Sequence, residues 1–220
     1  MTIPSREVPI DPAHSALLIV DVQNYCALPD GAGSHTLDAG HRHYLFGSLR
    51  ETVIPNLRLL QSACRRAHIE VVYAAVENMT RDGRDRSLDY KISGIDVPRG
   101  SWDAQVIDEV APLEDEMVFR KTSSSVFIST NIDYVLRNLG VRSLIIAGIM
   151  TDQCVESAVR DACDLGYLVT LVTDACTTTS AERHEHSLIG IRGYCRQRQT
   201  KELAAEIAGA TNSANKGDRR

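Results

Sequence analysis

The stretch at 143–164, SLIIAGIMTDQCVESAVRDACD, contains the change of period that decides the fold class. Ser143 to Ile149 form an almost unbroken apolar run, the pattern of a strand buried on both faces. Beyond it the apolar residues recur as Val155, Ala158, Val159, Ala162 and Cys163, the spacing of one buried helix face. A doubly buried strand that feeds directly into an amphipathic helix is a unit of a parallel sheet. Cys154 falls at the joint between the two.

The alternation repeats outward from there. ALLIVDV (16–22), IEVVYAAV (69–76), MVFRK (117–121) and YLVTLVTD (167–174) read as further strands. TVIPNLRLLQSACRRA (52–67) places Ile54, Leu57, Leu60 and Ala63 at helical spacing. IDYVLRNLG (132–140), AERHEHSLIGIRGYC (181–195) and TKELAAEIA (200–208) also read as helices. Strands alternating with helices predict an α/β fold with a parallel sheet covered on both faces. No repeat or linker divides 1–210, which reads as a single domain, and the polar segment 211–220 reads as a disordered tail. The segments 24–50 and 77–103 read as long loops, and loops of that length tend to carry function.

Composition narrows the partners. Of 220 residues, 43% are hydrophobic and 24% charged, ordinary values for a globular protein, and the net charge of −5 leaves no basic footprint for nucleic acid or an anionic membrane. Runs such as ALLIV and LIIAGIM are too short to span a bilayer. Cysteines 26, 64, 154, 163, 176 and 195 show no CxxC spacing and mostly sit within apolar patterns. They read as reduced thiols of a cytoplasmic protein.

In an open parallel sheet, ligands bind beyond the carboxyl ends of the strands. Asp21 closes the first strand, Lys121 the third, and Cys154 follows the fourth, so parallel strands would bring all three to one edge. A thiol, a carboxylate and an ammonium there make a nucleophilic site. Thr151 or Asp152 is expected to cap the helix, and the helix dipole and Lys121 to favour the thiolate. Asp21 would take the thiol proton. From spacing alone the plainer reading stays open, with Cys154 a small buried hydrophobe and Lys121 a solvated lysine.

At these residues the sequence resembles the isochorismatase-like cysteine hydrolase superfamily. The matching blocks are ALLIVDVQN with Asp21 and Gln23, VFRKTSSSVFIST with Lys121 and Phe127, and LIIAGIMTDQCVESAVRDACDLGYLVTLVTDAC, together covering most of 15–195. The resemblance implies a three-layer α/β/α, Rossmann-like architecture around a central, mostly parallel six-stranded sheet, assembled as a homo-oligomer, dimer or tetramer. It implies Asp21, Lys121 and Cys154 as the catalytic triad. It also implies a cis peptide at Ile149–Met150, with the Met150 and Cys154 N–H groups as an oxyanion hole.

True isochorismatases, which cleave a vinyl ether, lack the cysteine, so Cys154 points to the amidohydrolase branches, similar to N-carbamoylsarcosine and ureidoacrylate amidohydrolases. The expected substrate is a small linear amide, ureido or carbamoyl compound. The alternatives are nicotinamidase-like or vinyl-ether hydrolysis, or an idle scaffold of the same fold. Nicotinamidases carry Asp-x-His after the second strand. This chain has AAVENMTRDGRD there and no histidine between 69 and 183, so neither a catalytic metal nor another cofactor is expected. His41 and His43 read as residues of an exposed loop, and His184 and His186 as solvent-facing. Cys26 and Cys176 have no paired base and are not read as nucleophiles. Gln23, Tyr25, Glu77, Asn78, Trp102, Ser124 and Phe127 are the candidate substrate-binding residues.

Overall fold

Six strands form one all-parallel sheet: β1 (Ser15–Val20), β2 (Glu70–Val76), β3 (Met117–Lys121), β4 (Ser143–Ile149), β5 (Leu168–Thr177) and β6 (Arg196–Arg198). The computed structural model describes residues 5–217, with side chains described to Thr211. The strand order is β3-β2-β1-β4-β5-β6. The order therefore reverses between β1 and β4, the switch point where such sheets open a crevice. Every residue of β1 is buried, as are Leu144 to Ile149 of β4, which is why both read as continuous apolar runs.

The helices are α1 (Asn24–Ala27), α2 (Ala39–Ser48), α3 (Ile54–Arg66), α4 (Leu88–Ile92), α5 (Val126–Ser129), α6 (Ile132–Asn138), α7 (Glu156–Asp164), α8 (Ala181–Ile191) and α9 (Thr200–Gly217). α3 and α9 pack on each other against the sheet, while α5, α7 and α8 form a second packed group. This is a three-layer α/β/α arrangement. The predicted stripe on α7 is buried, with Val155, Ala158, Val159 and Ala162 at 0% exposure.

Two expectations need correction. The segment 24–50 is not one loop: it holds α1 and α2, and Asp38 caps α2 by accepting from the His41 N–H at 2.9 Å. His41 and His43 are therefore helical, and His41 Nδ1 pairs with Asp38 at 2.7 Å. The segment 77–103 likewise contains α4. The six-stranded sheet that the resemblance implies is present, although the apolar pattern marks only five of its strands. β6 (RQR) has no apolar period, and its buried Arg196 is accommodated by an ion pair with Glu206 at 2.9 Å. The tail expected at 211–220 lies outside the described residues, the α9 backbone and Thr211 excepted.

Candidate active site

Two backbone features open the crevice between β1 and β4. Asp21 has φ 55°, a left-handed conformation that turns the chain off β1; a polar side chain is tolerated there better than a branched one. Gly148 has φ 126°, and a Cβ at that position would lie 2.1 Å from the Val20 carbonyl oxygen. Only glycine fits where β4 passes so close to β1. The Ile149–Met150 peptide is cis, and a π-helical turn (Thr151–Val155) then leads into α7.

The three expected residues meet at this point. Lys121 Nζ lies 2.9 Å from Asp21 Oδ2 and donates to Cys154 Sγ at 3.3 Å. It also donates to the Tyr90 hydroxyl and the Ser123 carbonyl, each at 3.0 Å. Lys121 is fully buried, Asp21 3% exposed and Cys154 8% exposed. Asp21 Oδ1 is buried and has no hydrogen-bond partner among the described residues.

The electrostatics differ from expectation. Burial raises the Cys154 thiol, the Asp21 charge adds to it, and despite the pull of Lys121 the thiol is pushed up to about 12. Burial also raises Asp21, against the opposing pull of Lys121. For Lys121 the order reverses: burial pulls it down, but Asp21, Cys154 and Tyr90 outweigh that and hold it well above its ordinary value. The physical reason is charge balance. One cation already serves one anion in a dry site, and a thiolate would be a second anion without a partner. Burial and the Asp21 charge thus favour the protonated thiol, against the expected pull of the helix dipole and Lys121 toward the thiolate.

The predicted helix cap is also corrected. Thr151 Oγ1 pairs with His184 Nδ1 at 2.8 Å, so His184 is half-buried rather than solvent-facing. Asp152 accepts from the Thr178 hydroxyl at 2.6 Å and pairs with Arg183 at 2.5 Å. The helix start has no side-chain cap; both residues tie the turn to α8 and the end of β5.

A cavity of about 470 Å³ stands over the triad. Asp21, Cys154, Ile149 and Met150 reach it, as do Tyr25 and Ser124 among the candidate binding residues. The other five candidates do not line it. Gln23 is buried, with its amide committed to the Val76 N–H (2.6 Å) and the carbonyls of Val76 and Asp103 (2.9 Å each). Glu77 pairs with Arg120 at 2.9 Å and accepts from the Gly100 N–H at 2.7 Å. Asn78 donates to Asp96 at 2.6 Å. Trp102 is 49% exposed, and Phe127 stacks on Tyr167 at 6.1 Å between ring centroids. Gln23, Glu77 and Asn78 thus brace the segment 77–103 instead of facing a ligand.

That segment supplies the residue the sequence reading missed. Tyr90, 1% exposed, accepts from Lys121 and lies 3.8 Å from Cys154 Sγ. It sits in a small satellite core with Val76, Val97 and Ala104. The Ser87 hydroxyl caps α4 by accepting from the Tyr90 N–H at 3.2 Å. A serine before Leu-Asp-Tyr is a readable cap signal, but nothing in linear spacing links position 90 to 121 and 154. Cys26 is also beside the site, donating to the Asp21 carbonyl at 3.1 Å. Among the described residues no group of three or more His, Cys, Asp or Glu side chains is placed to hold a metal ion.

Comparison with known proteins agrees with this geometry. Residues 15–202 match the family model of the isochorismatase domain. The chain belongs to the isochorismatase family. Within it, this family member is 30% identical to the ureidoacrylate amidohydrolase RutB of Rhizobium rhizogenes, over 80% of this chain and 76% of that one. It is 31% identical to RutB of Agrobacterium fabrum, over 80% of this chain and 82% of that one. The structure matches a cysteine hydrolase from Pseudomonas syringae with a TM-score of 0.80 and 26% identity, covering 96% of this chain and 100% of the other. N-carbamoylsarcosine amidase from Thermoplasma acidophilum shares the fold at a TM-score of 0.67 and 22% identity, over 85% and 96% of the two chains. The RutB relatives place the isochorismatase-like chain with the amidohydrolase branch. No helix among the described residues is long and apolar enough to cross a membrane.

Proposed function

We propose that this protein hydrolyses a C–N bond of a small linear amide, ureido or carbamoyl compound, with Cys154 as nucleophile. The observation that carries the reading is Lys121 Nζ held within 2.9 Å of Asp21 and 3.3 Å of Cys154, two residues that line the cavity. The RutB relatives, named for amidohydrolysis, support the reaction class.

Because burial favours the protonated thiol, attack and proton transfer go together. Asp21 takes the Cys154 proton as the sulfur attacks the substrate carbonyl. The developing oxyanion rests on the Met150 and Cys154 backbone N–H groups; removing one such donor costs ~3 kcal/mol in comparable sites. Asp21 then returns the proton to the departing nitrogen, the C–N bond breaks, and an acyl thioester remains on Cys154. Asp21 next deprotonates a water molecule, which attacks the thioester carbonyl. The acid leaves and the sulfur recovers its proton. Lys121 holds Asp21 in place and favours its ionised form before each proton transfer. The reading includes assembly as a homo-oligomer, which sedimentation velocity checks.

The test is ammonia or amine release from a panel of amides and ureides by wild type and Cys154→Ala, with intact-mass detection of an acylated Cys154. Turnover that survives Cys154→Ala, or none across the panel, would sink it.

A further inference from the structure

We propose that the cavity selects amides whose far end is uncharged or cationic and rejects those ending in a carboxylate, with Asp89 as the specificity-determining residue. The inference rests on the amide-hydrolysing reading above and adds the charge of the substrate. Its ground is the sign of the groups that reach the cavity. Among the described residues the lining contains two acidic side chains, Asp21 and Asp89, and no arginine, lysine or histidine. Asp21 is matched by Lys121 beneath it at 2.9 Å, so the floor carries no net charge. Asp89 has no such match. It lies exposed in the first turn of α4, where its Oδ1 accepts only a long 3.5 Å hydrogen bond from the Ser93 hydroxyl, itself a lining residue.

The cations nearby are engaged elsewhere. Arg86 donates to the carbonyls of Gly83 and Ile95 at 2.9 Å each and pairs with Asp96 at 3.5 Å. Arg42 donates to the carbonyls of Pro29 and Ser34 at 3.3 Å. His35 is exposed and outside the lining. The remaining polar side chains of the lining are neutral, Tyr25, Thr36, Ser124, Gln153 and Thr179 among them. A carboxylate entering this cavity gives up hydration and finds no cation to replace it. An ammonium group finds Asp89. The net charge of −5 acts in the same direction at longer range. Ureidoacrylate, the substrate in the RutB relatives' name, ends in a carboxylate, so the inference sets this chain apart from them in substrate.

The experiment uses two matched series on the full chain. The ureas are propylurea, 2-aminoethylurea and N-carbamoyl-β-alanine; the carboxamides are butyramide, 4-aminobutyramide and succinamate. Turnover is read with wild type, and binding by calorimetry with Cys154→Ala, which needs no chemistry. Within each series the ammonium and neutral members should exceed the carboxylate by on the order of tenfold or more. Asp89→Lys should raise the carboxylate-to-ammonium ratio by at least a similar factor, a readout that a merely structural role for Asp89 would not move. A carboxylate preferred by wild type, a ratio unmoved by Asp89→Lys, or no binding in either series overturns the inference. Binding in the expected order without any turnover would sustain it while removing the hydrolase reading.

Discussion

Tyr90, Asp21 and Cys154 converge on Lys121, and Tyr90 also lies 3.8 Å from Cys154. Lys121 has no solvent to neutralise it and is held by three side chains and one carbonyl. Replacing it with methionine leaves Asp21 buried without a cation, which should cost about 3–5 kcal/mol of stability. Urea unfolding measures this, and Lys121→Met combined with Asp21→Asn should recover part of the loss. The protonated thiol leads to a second outcome at this scale. Asp21→Asn removes both the proposed general base and a charge that raises Cys154. Turnover should fall by about 10²–10⁴, while iodoacetamide should label Cys154 faster than in wild type. Slower labelling would point to a thiolate already formed in the wild-type site. Tyr90→Phe keeps the ring in its small core but removes an acceptor from a buried ammonium. About 1.5–3 kcal/mol of stability should be lost, read from the shift in the denaturation midpoint.

At the scale of elements, the site depends on how β1 and β4 approach and part. Gly148 pairs with Val20 across the strands, and the register of β4 with β5 shifts between Ile146 and Gly148. Such a shift re-aims the chain next to a site. Gly148→Ala combines left-handed strain of about 1–3 kcal/mol with overpacking of about 1–3 kcal/mol against the Val20 backbone. We expect a destabilised protein with most of its activity lost, seen as a lowered Tm and reduced turnover at saturating substrate. The segment 77–103 behaves as an element in its own right. Asp85 accepts from the Met79 and Thr80 N–H groups at 2.8 and 3.0 Å, and these bonds together with the Thr80 hydroxyl hold its carboxyl down at about 2. Glu77 and Asn78 anchor its two ends, and the result is a fixed placement for Tyr90 over the lysine.

For the whole molecule, the buried cysteines set a response to alkali. Burial pushes Cys64, Cys154 and Cys176 up to about 12 and Cys195 to about 11, from an ordinary value of 9.0. In that interval the folded thiols keep protons that the unfolded chain has released. Their contribution is fully present below about pH 9 and is lost as pH rises toward 11–12, by up to about 1.4 kcal/mol per pH unit for each thiol. Urea midpoints should therefore fall steeply above about pH 9, and a flat profile would contradict the assignment. The sequence alone was sufficient for the α/β class, five of the six strands and the three residues at the strand ends. Those features follow from local periodicity and from strand direction, because parallel strands send their carboxyl ends to one edge. It was silent on β6, whose buried arginine needs Glu206 from another element. It also misplaced Gln23, Glu77 and Asn78, since a polar side chain near a site reads the same whether it faces a ligand or a backbone carbonyl. Only the tertiary structure decided that Tyr90 meets Lys121 and Cys154, that burial raises the Cys154 thiol, and that Asp89 lines the cavity with no ion-pair partner among the described residues. Each of these depends on distances and desolvation between residues far apart in the chain, which no linear pattern encodes.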